Sequence, residues 1–356
     1  MSRFFSEKYM DLEPYVPGEQ PQGQEFIKLN TNENPYPPHP EVTAAVTEES
    51  RLLHLYSDPD SRDLRAAMAK RLDISTDELI MTNGSDEILN FAFMAYCDRH
   101  IPAVFPDITY GFYPVFAKIN QVPYEEIPVK DDLSIDITDF FQTAGTIFLA
   151  NPNAPTTLAL RRSEIEEILK HNLYNVVVVD EAYVDFGAES ALPLVRKYEN
   201  LLVTRTFSKS RSMAGARLGF GIGNPDLIRD LNAVRNSTNP YNVNRLTAAA
   251  GIACLENDEY NLENCGRIVQ TRSRYERILW EMGFEMPASQ TNFFFARHPA
   301  ISGEELYLEL KKRGILVRHF SPERIRDYNR ITVGTPEQMD KLIEAIREIL
   351  GNQTKG

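Results

Sequence analysis

The sequence predicts an α/β protein, with a large open-sheet body followed by a smaller α+β body. Three observations carry this. Four consecutive valines, 176–179, end at Asp180, as in a central parallel strand covered on both faces. A second apolar run, Leu201-Leu202-Val203, ends in hydroxyl residues and Lys209, and a glycine-rich strand, Leu218-Gly219-Phe220-Gly221, follows. Strand-like and helix-like segments succeed one another from about residue 79 onward, and 356 residues with 42% hydrophobic content are enough for a large core.

Residues 11–40 are rich in Pro, Gly, Gln and Asn and are expected to form an extended arm with turns. Its Leu29-Asn-Thr-Asn-Glu-Asn-Pro stretch is dense in carboxamides, which can orient a ligand and which also favour turns and caps. A short helix is expected near 41–52. Ser61 can cap a helix over Arg62–Leu72, in which Leu64, Ala67, Met68 and Leu72 recur at helical spacing. Leu79–Thr82 reads as a strand, and Asn83-Gly84-Ser85-Asp86-Glu87 as a glycine turn into a buried helix over 88–96. A helix start of this kind presents free N–H groups to a phosphate, while Asp86 and Glu87 also suit an ordinary helix N-terminus. Tyr110, at a strand end among aromatics, can lie flat on a planar ring or pack in the core.

Thr146–Ala150 is an apolar strand, followed by the turn Asn151-Pro-Asn153-Ala154-Pro-Thr-Thr157; a helix over 162–171 leads to the valine strand. Ligands of open parallel sheets sit outside the carboxyl ends of the strands, so Asn153, Asp180 and Lys209 share one rim. A lysine there is partly desolvated, and its amine can attack a carbonyl to form a Schiff base. Taken alone, Ser208-Lys209 also describes a surface loop. Residues 224–256 read as helices and 258–282 as a long amphipathic helix bridging into the smaller body. There we expect strands at 291–296, 314–318 and 330–333 and helices at 303–313 and 336–350. Arg318 and Arg330, at the ends of neighbouring strands, can converge on one anion or simply face solvent. The expected division is an arm over 1–40, a large body over 41–256 and a small one over 257–356.

The net charge of −13 and a pI near 5.1 disfavour nucleic acid and anionic membrane as partners, so an anionic ligand must be held by local groups. Cys97, Cys254 and Cys265 are odd in number and lack metal-type spacing, which points to a reduced compartment and no metal site. Glu7 and Asp11 interrupt any apolar leader, and no run reaches the length of a membrane span. A soluble cytoplasmic protein is expected.

The ordered set Asn83-Gly-Ser-Asp-Glu, Pro106 to Tyr110-Gly, Asn151-Pro-Asn-Ala-Pro-Thr, Asp180-Glu-Ala-Tyr, Ser208-Lys209 with Arg217, and Arg330-Ile-Thr-Val-Gly resembles the fold type I pyridoxal-phosphate aminotransferases, and among them the histidinol-phosphate aminotransferases. The match runs from about residue 11 to 350. The resemblance implies an aspartate aminotransferase-like large domain with a mostly parallel seven-stranded sheet flanked by helices. It implies pyridoxal 5′-phosphate, with Lys209 holding the cofactor and shuttling a proton, Asp180 pairing with the pyridine nitrogen, Tyr183 bonding the phenolic oxygen and Tyr110 stacking on the ring. Ser85, Asp86, Ser208 and Arg217 would bind the phosphate, completed in a homodimer by Tyr56 of the partner subunit.

For the substrate, the resemblance implies Tyr15, Asn32 and Asn34 near the donor and Arg318 and Arg330 on its phosphate. The implied reaction is ping-pong transfer from histidinol phosphate to 2-oxoglutarate; aromatic amino acid aminotransferases and a threonine-phosphate decarboxylase share the same frame. A non-enzymatic regulator on this fold would need a DNA-binding module and basic charge, for which the chain has no room. Two positions depart from the pattern Asn-Asn-Pro-Thr-Gly. Ala154 stands where relatives place the asparagine that touches the phenolic oxygen, leaving Asn153 as the candidate, and Thr157 replaces a glycine, so a local change in the turn is expected there.

Overall fold

In the computed structural model, which describes residues 2–21, 23 and 25–353, the chain runs β1 (Ile27–Lys28), α1 (Pro40–Glu49), α2 (Arg62–Leu72), β2 (Leu79–Thr82), α3 (Ser85–Tyr96), β3 (Ala103–Pro106), α4 (Tyr113–Asn120), β4 (Tyr124–Ile127), β5 (Thr146–Ala150), α5 (Arg162–Lys170), β6 (Val177–Asp180), β7 (Leu201–Thr206) and β8 (Gly219–Gly223). It continues through α6 (Pro225–Thr238), α7 (Arg245–Glu256), α8 (Asp258–Glu281), β9 (Phe293–Ala296), α9 (Gly303–Lys312), β10 (Ile315–Leu316), β11 (Arg318–His319), β12 (Asn329–Thr332) and α10 (Pro336–Gln353). Residues 354–356 of the expected small body lie outside the described residues.

Seven strands form one sheet in the order β2-β8-β7-β6-β5-β3-β4, with β8 antiparallel to both neighbours and the remaining pairs parallel. The period-2 alternation of a strand explains why its centre is apolar throughout. Val177 and Val179 of β6 join Ile147 and Leu149 of β5 and Leu201 and Val203 of β7 in one core, on the face covered by α2, α5 and α7. Val178, Phe148 and Leu202 point the other way, into a core covered by α3, α4 and α6. Each such side chain, fully removed from water, contributes ~1.5–3 kcal/mol to holding the layers together.

A third core joins α8, α9 and α10 to β9 and β12 and takes in Leu29 of the arm and Tyr183. The arm is more than an extended tail, because β1 pairs in parallel with β10. β11, β12 and β9 form an antiparallel sheet that sets Arg318 directly opposite Arg330. The expected cap of α2 is corrected: Ser61 sits at φ 46 with no side-chain cap bond, and Asp58 Oδ2 accepts from the Arg62 N–H at 3.0 Å instead. Among the described residues no helix is long and apolar enough to cross a membrane.

Candidate active site

The carboxyl ends of β2, β5, β6 and β7 open onto one cavity. It is lined by Ser85, Asp86, Ala154, Asp180, Tyr183, Ser208, Lys209 and Arg217 from the large sheet's side, Tyr110 beside them, and Tyr15, Asn32 and Arg330 from the arm and the small sheet. β6 delivers Asp180. Its register partner on β7, Thr204, donates from Oγ1 to Asp180 Oδ1 at 3.0 Å. Burial pushes the Asp180 carboxyl up from 3.8 to about 7, against the lowering effect of the Thr204 bond. No cation pairs with it among the described residues, so this buried acid is short of a positive partner.

Lys209 follows β7. Its Nζ donates to the Thr31 carbonyl at 3.0 Å and lies 5.7 Å from the centre of the Tyr183 ring. That ring meets Phe293 edge-on, and its hydroxyl accepts from Asn32 Nδ2 at 2.9 Å. At the end of β2 the turn into α3 places the N–H groups of its first turn, which have no intrahelical acceptor, at the cavity. Asp86 there accepts from the Tyr110 hydroxyl at 2.7 Å and from Arg217 Nη2 at 3.2 Å. Burial pushes the Tyr110 hydroxyl well above its ordinary value, with Asp86 adding to the rise.

Only glycine permits this convergence. Gly84 has φ +82, and a Cβ there would come within 2.6 Å of Arg217 Nη2; a Cβ on Gly219 would lie 2.4 Å from the Gly84 carbonyl carbon. A bare helix start, an arginine, a serine and, across the cavity, a buried carboxylate without a cation suit a group that is anionic at one end and carries a protonatable ring nitrogen at the other. The residues present therefore fit pyridoxal phosphate.

Several expected residues are placed elsewhere. Asn153 is buried inside its turn, with its carboxamide on the Thr109 hydroxyl, the Ile108 carbonyl and Thr156 Oγ1, and it is Ala154 that faces the cavity. A contact from Asn153 to a bound ring is thereby corrected. Thr157 adopts φ 69, a left-handed conformation that a branched residue rarely takes. Asn34 does not line the cavity; its Nδ2 donates to the carbonyls of Lys209 and Ser210 at 3.2 and 3.3 Å, bracing the lysine loop. Asn32 lines the cavity but is committed to Tyr183 and Thr332. Arg318 is not at the cavity wall either: its guanidinium holds the arm through the Val16 and Pro17 carbonyls at 2.9 and 3.0 Å.

Arg330 does reach the cavity. Nη2 donates to the Asn30 carbonyl at 3.0 Å, Nε has no partner among the described residues, and burial pulls the guanidinium below its ordinary value. Tyr15 packs on Phe112 with ring centres 4.2 Å apart. Tyr56 is 80% exposed, outside its own chain's cavity, and stacks on Tyr241. Thr204 escaped the sequence reading because a threonine inside a buried strand looks ordinary; its place opposite Asp180 is a fact of register.

The family model for aminotransferase class I and II matches residues 24–346. The chain is 48% identical to histidinol-phosphate aminotransferase 1 of Bradyrhizobium diazoefficiens over 98% of its length and 100% of that protein's. It is 47% identical to the histidinol-phosphate aminotransferase of Brachyspira hyodysenteriae, over 99% and 100%. In structure it resembles the Sinorhizobium meliloti histidinol-phosphate aminotransferase solved with pyridoxal 5′-phosphate, with a TM-score of 0.88 at 24% identity over 98% and 99% of the two chains, which is a likeness of fold.

Proposed function

The chain belongs to the aminotransferase class I and II family, and we propose that it moves the amino group of histidinol phosphate to a 2-oxoacid, 2-oxoglutarate, in histidine biosynthesis. The observation that carries the choice of donor is Arg330, a half-buried guanidinium at the cavity wall whose Nε has no partner among the described residues, on the arm side of the space that Lys209 and Asp180 enter. Histidinol phosphate has no α-carboxylate; its anion is a phosphate ester on the carbon next to Cα, in the carboxylate's place, and a forked cation beyond the reacting carbon matches it.

Pyridoxal 5′-phosphate, when bound, supplies the electron sink that accepts the charge left when the donor's Cα loses its proton. Asp180, buried and lacking a cation of its own among the described residues, would hold a proton on the ring nitrogen. The Ser85 and Asp86 N–H groups, Ser208 and Arg217 would hold the cofactor's phosphate, and Tyr110 would pack on its ring. Lys209 Nζ, at the cavity, would serve as the base that accepts the donor's Cα proton. Asn34, bonded to the Lys209 carbonyl, keeps that amine in reach. Arg318 acts through the arm it anchors, bringing Tyr15 over the donor. A homodimer, in which Tyr56 of the partner subunit completes the phosphate site, explains an exposed aromatic pair at 56 and 241. Three buried cysteines without a disulfide among the described residues suit the cytoplasm.

The test is a donor panel of histidinol phosphate, phenylalanine and phosphothreonine with 2-oxoglutarate, with carbon dioxide release followed in parallel. Histidinol phosphate should give the highest kcat/KM with no carbon dioxide, and Arg330→Ala should raise its KM roughly 10- to 100-fold. An unchanged KM for histidinol phosphate in Arg330→Ala, or phenylalanine as the best donor, refutes the assignment of the phosphate. Carbon dioxide from phosphothreonine makes the protein a decarboxylase.

A further inference from the structure

Tyr183 carries one hydroxyl proton, and the direction in which it points decides whether the residue donates into the cavity or accepts from it. In this chain the direction is set from outside the cavity. The Asn32 backbone N–H donates to Thr332 Oγ1 at 3.0 Å, so that oxygen is already an acceptor, and its own proton goes to Asn32 Oδ1 at 3.1 Å. This leaves Asn32 Nδ2 toward Tyr183, where it donates to the hydroxyl at 2.9 Å. Turning the carboxamide over would strand the Thr332 proton in a site 2% exposed, so only one orientation satisfies every group. The carboxamide cannot drift: Asn32 sits at φ 58, a conformation asparagine tolerates, and its carbonyl accepts from Asn292 Nδ2 at 2.9 Å.

The departure at Ala154 gives this chain of bonds its importance. The turn after β5 offers the cavity a methyl group, with Asn153 turned away, so the phenolic oxygen of a bound cofactor has no carboxamide donor from that turn. We propose that Thr332 and Asn32 are positioning residues that, through one directed chain of hydrogen bonds, hold the Tyr183 proton pointing into the cavity as a dedicated donor. Tyr183 thereby works alone where the related pattern supplies two donors. Because Thr332 belongs to β12 and Tyr183 follows β6, the chain of bonds also makes that donor depend on how the small sheet is seated. The inference rests on the cofactor reading above.

The experiment is a pH titration of the visible band of the holoenzyme, which requires no turnover. A phenolic oxygen deprived of a donor retains more negative charge and binds a neighbouring proton more tightly, so the midpoint rises. Tyr183→Phe should raise it by about one unit. Thr332→Val, which removes only the hydroxyl, should raise it in the same direction by a smaller amount, and Thr332→Ser should restore it. Asn32→Asp, which replaces the donor by an acceptor and draws the Tyr183 proton away, should approach Tyr183→Phe and serves equally if Thr332→Val folds poorly. In the Tyr183→Phe background Thr332→Val should add nothing. A band whose midpoint is unmoved by Thr332→Val and Asn32→Asp, or moved as much without Tyr183 as with it, overturns the proposal. An unmodified protein that shows no visible band after incubation with pyridoxal phosphate overturns the cofactor reading itself.

Discussion

Two carboxylates leave β6 side by side, both buried, and they belong to different regions of the molecule. Glu181 turns behind the rim, where Arg205 donates to Oε2 from Nε and Nη2 at 2.9 and 2.7 Å, Ser190 Oγ donates at 2.9 Å, and the Ala191 N–H completes the set. Nearby, Arg211 lies between Asp185 and Asp258, and Arg71 closes the far side of Asp258. Asp180 turns into the cavity and finds one threonine and one backbone N–H. Burial is the same in the two regions; the supply of partners is not. A closed ionic network stabilises the rim, whereas a buried charge left incomplete marks where a ligand must bring the missing half.

The sharpest way to separate the regions is to remove one member of each. Lys209→Ala is expected to lower transaminase turnover by about 10⁴-fold or more while leaving stability to denaturant within about 0.5 kcal/mol. Steady-state kinetics beside a denaturant curve will decide it. Arg205→Met should do the reverse: stranding Glu181 should cost about 3–5 kcal/mol, read as a lower urea midpoint, with the folded fraction still turning over. If turnover falls while the midpoint holds, the closed network belongs to the chemistry and the division fails.

The third effect is smaller and depends on pH. Below 3.8 the Asp180 carboxyl is neutral folded or unfolded. Between 3.8 and about 7 the cofactor-free folded protein keeps a proton that the unfolded chain has released, so its stability falls as pH rises through that window. Urea midpoints of the cofactor-free protein from pH 5 to 7.5 should show this decline, and Asp180→Asn should flatten it. A decline of equal slope in both proteins would mean that the missing partner is supplied from within the chain.

The same contrast explains what the sequence made legible. Strand ends were readable because a run of valines or leucines stops abruptly at a carboxylate or a lysine, and the sheet's order then brings those stops to one rim. Residue type was readable at 32 and 34, but their partners, 151 and 175 residues away, are set by tertiary packing. β1 spans two residues, and β4 buries only Ile127, so neither carries an apolar period to detect. Ser61 has the chemistry of a cap, yet the left-handed backbone at that position gives the task to Asp58. Tyr56 is 80% exposed and lies outside its own chain's cavity, stacked on Tyr241.

Ile27, in the first strand to be synthesised, has its partner at Ile315. At ~5–20 residues per second a ribosome needs roughly a quarter of a minute to a minute to travel between them. Throughout that interval the nascent arm lacks its β10 partner, while every strand of the cofactor-facing rim is made before it ends. The arm's side of the cavity is therefore the last to be assembled, and a chain cut short before residue 315 cannot pair β1 with β10.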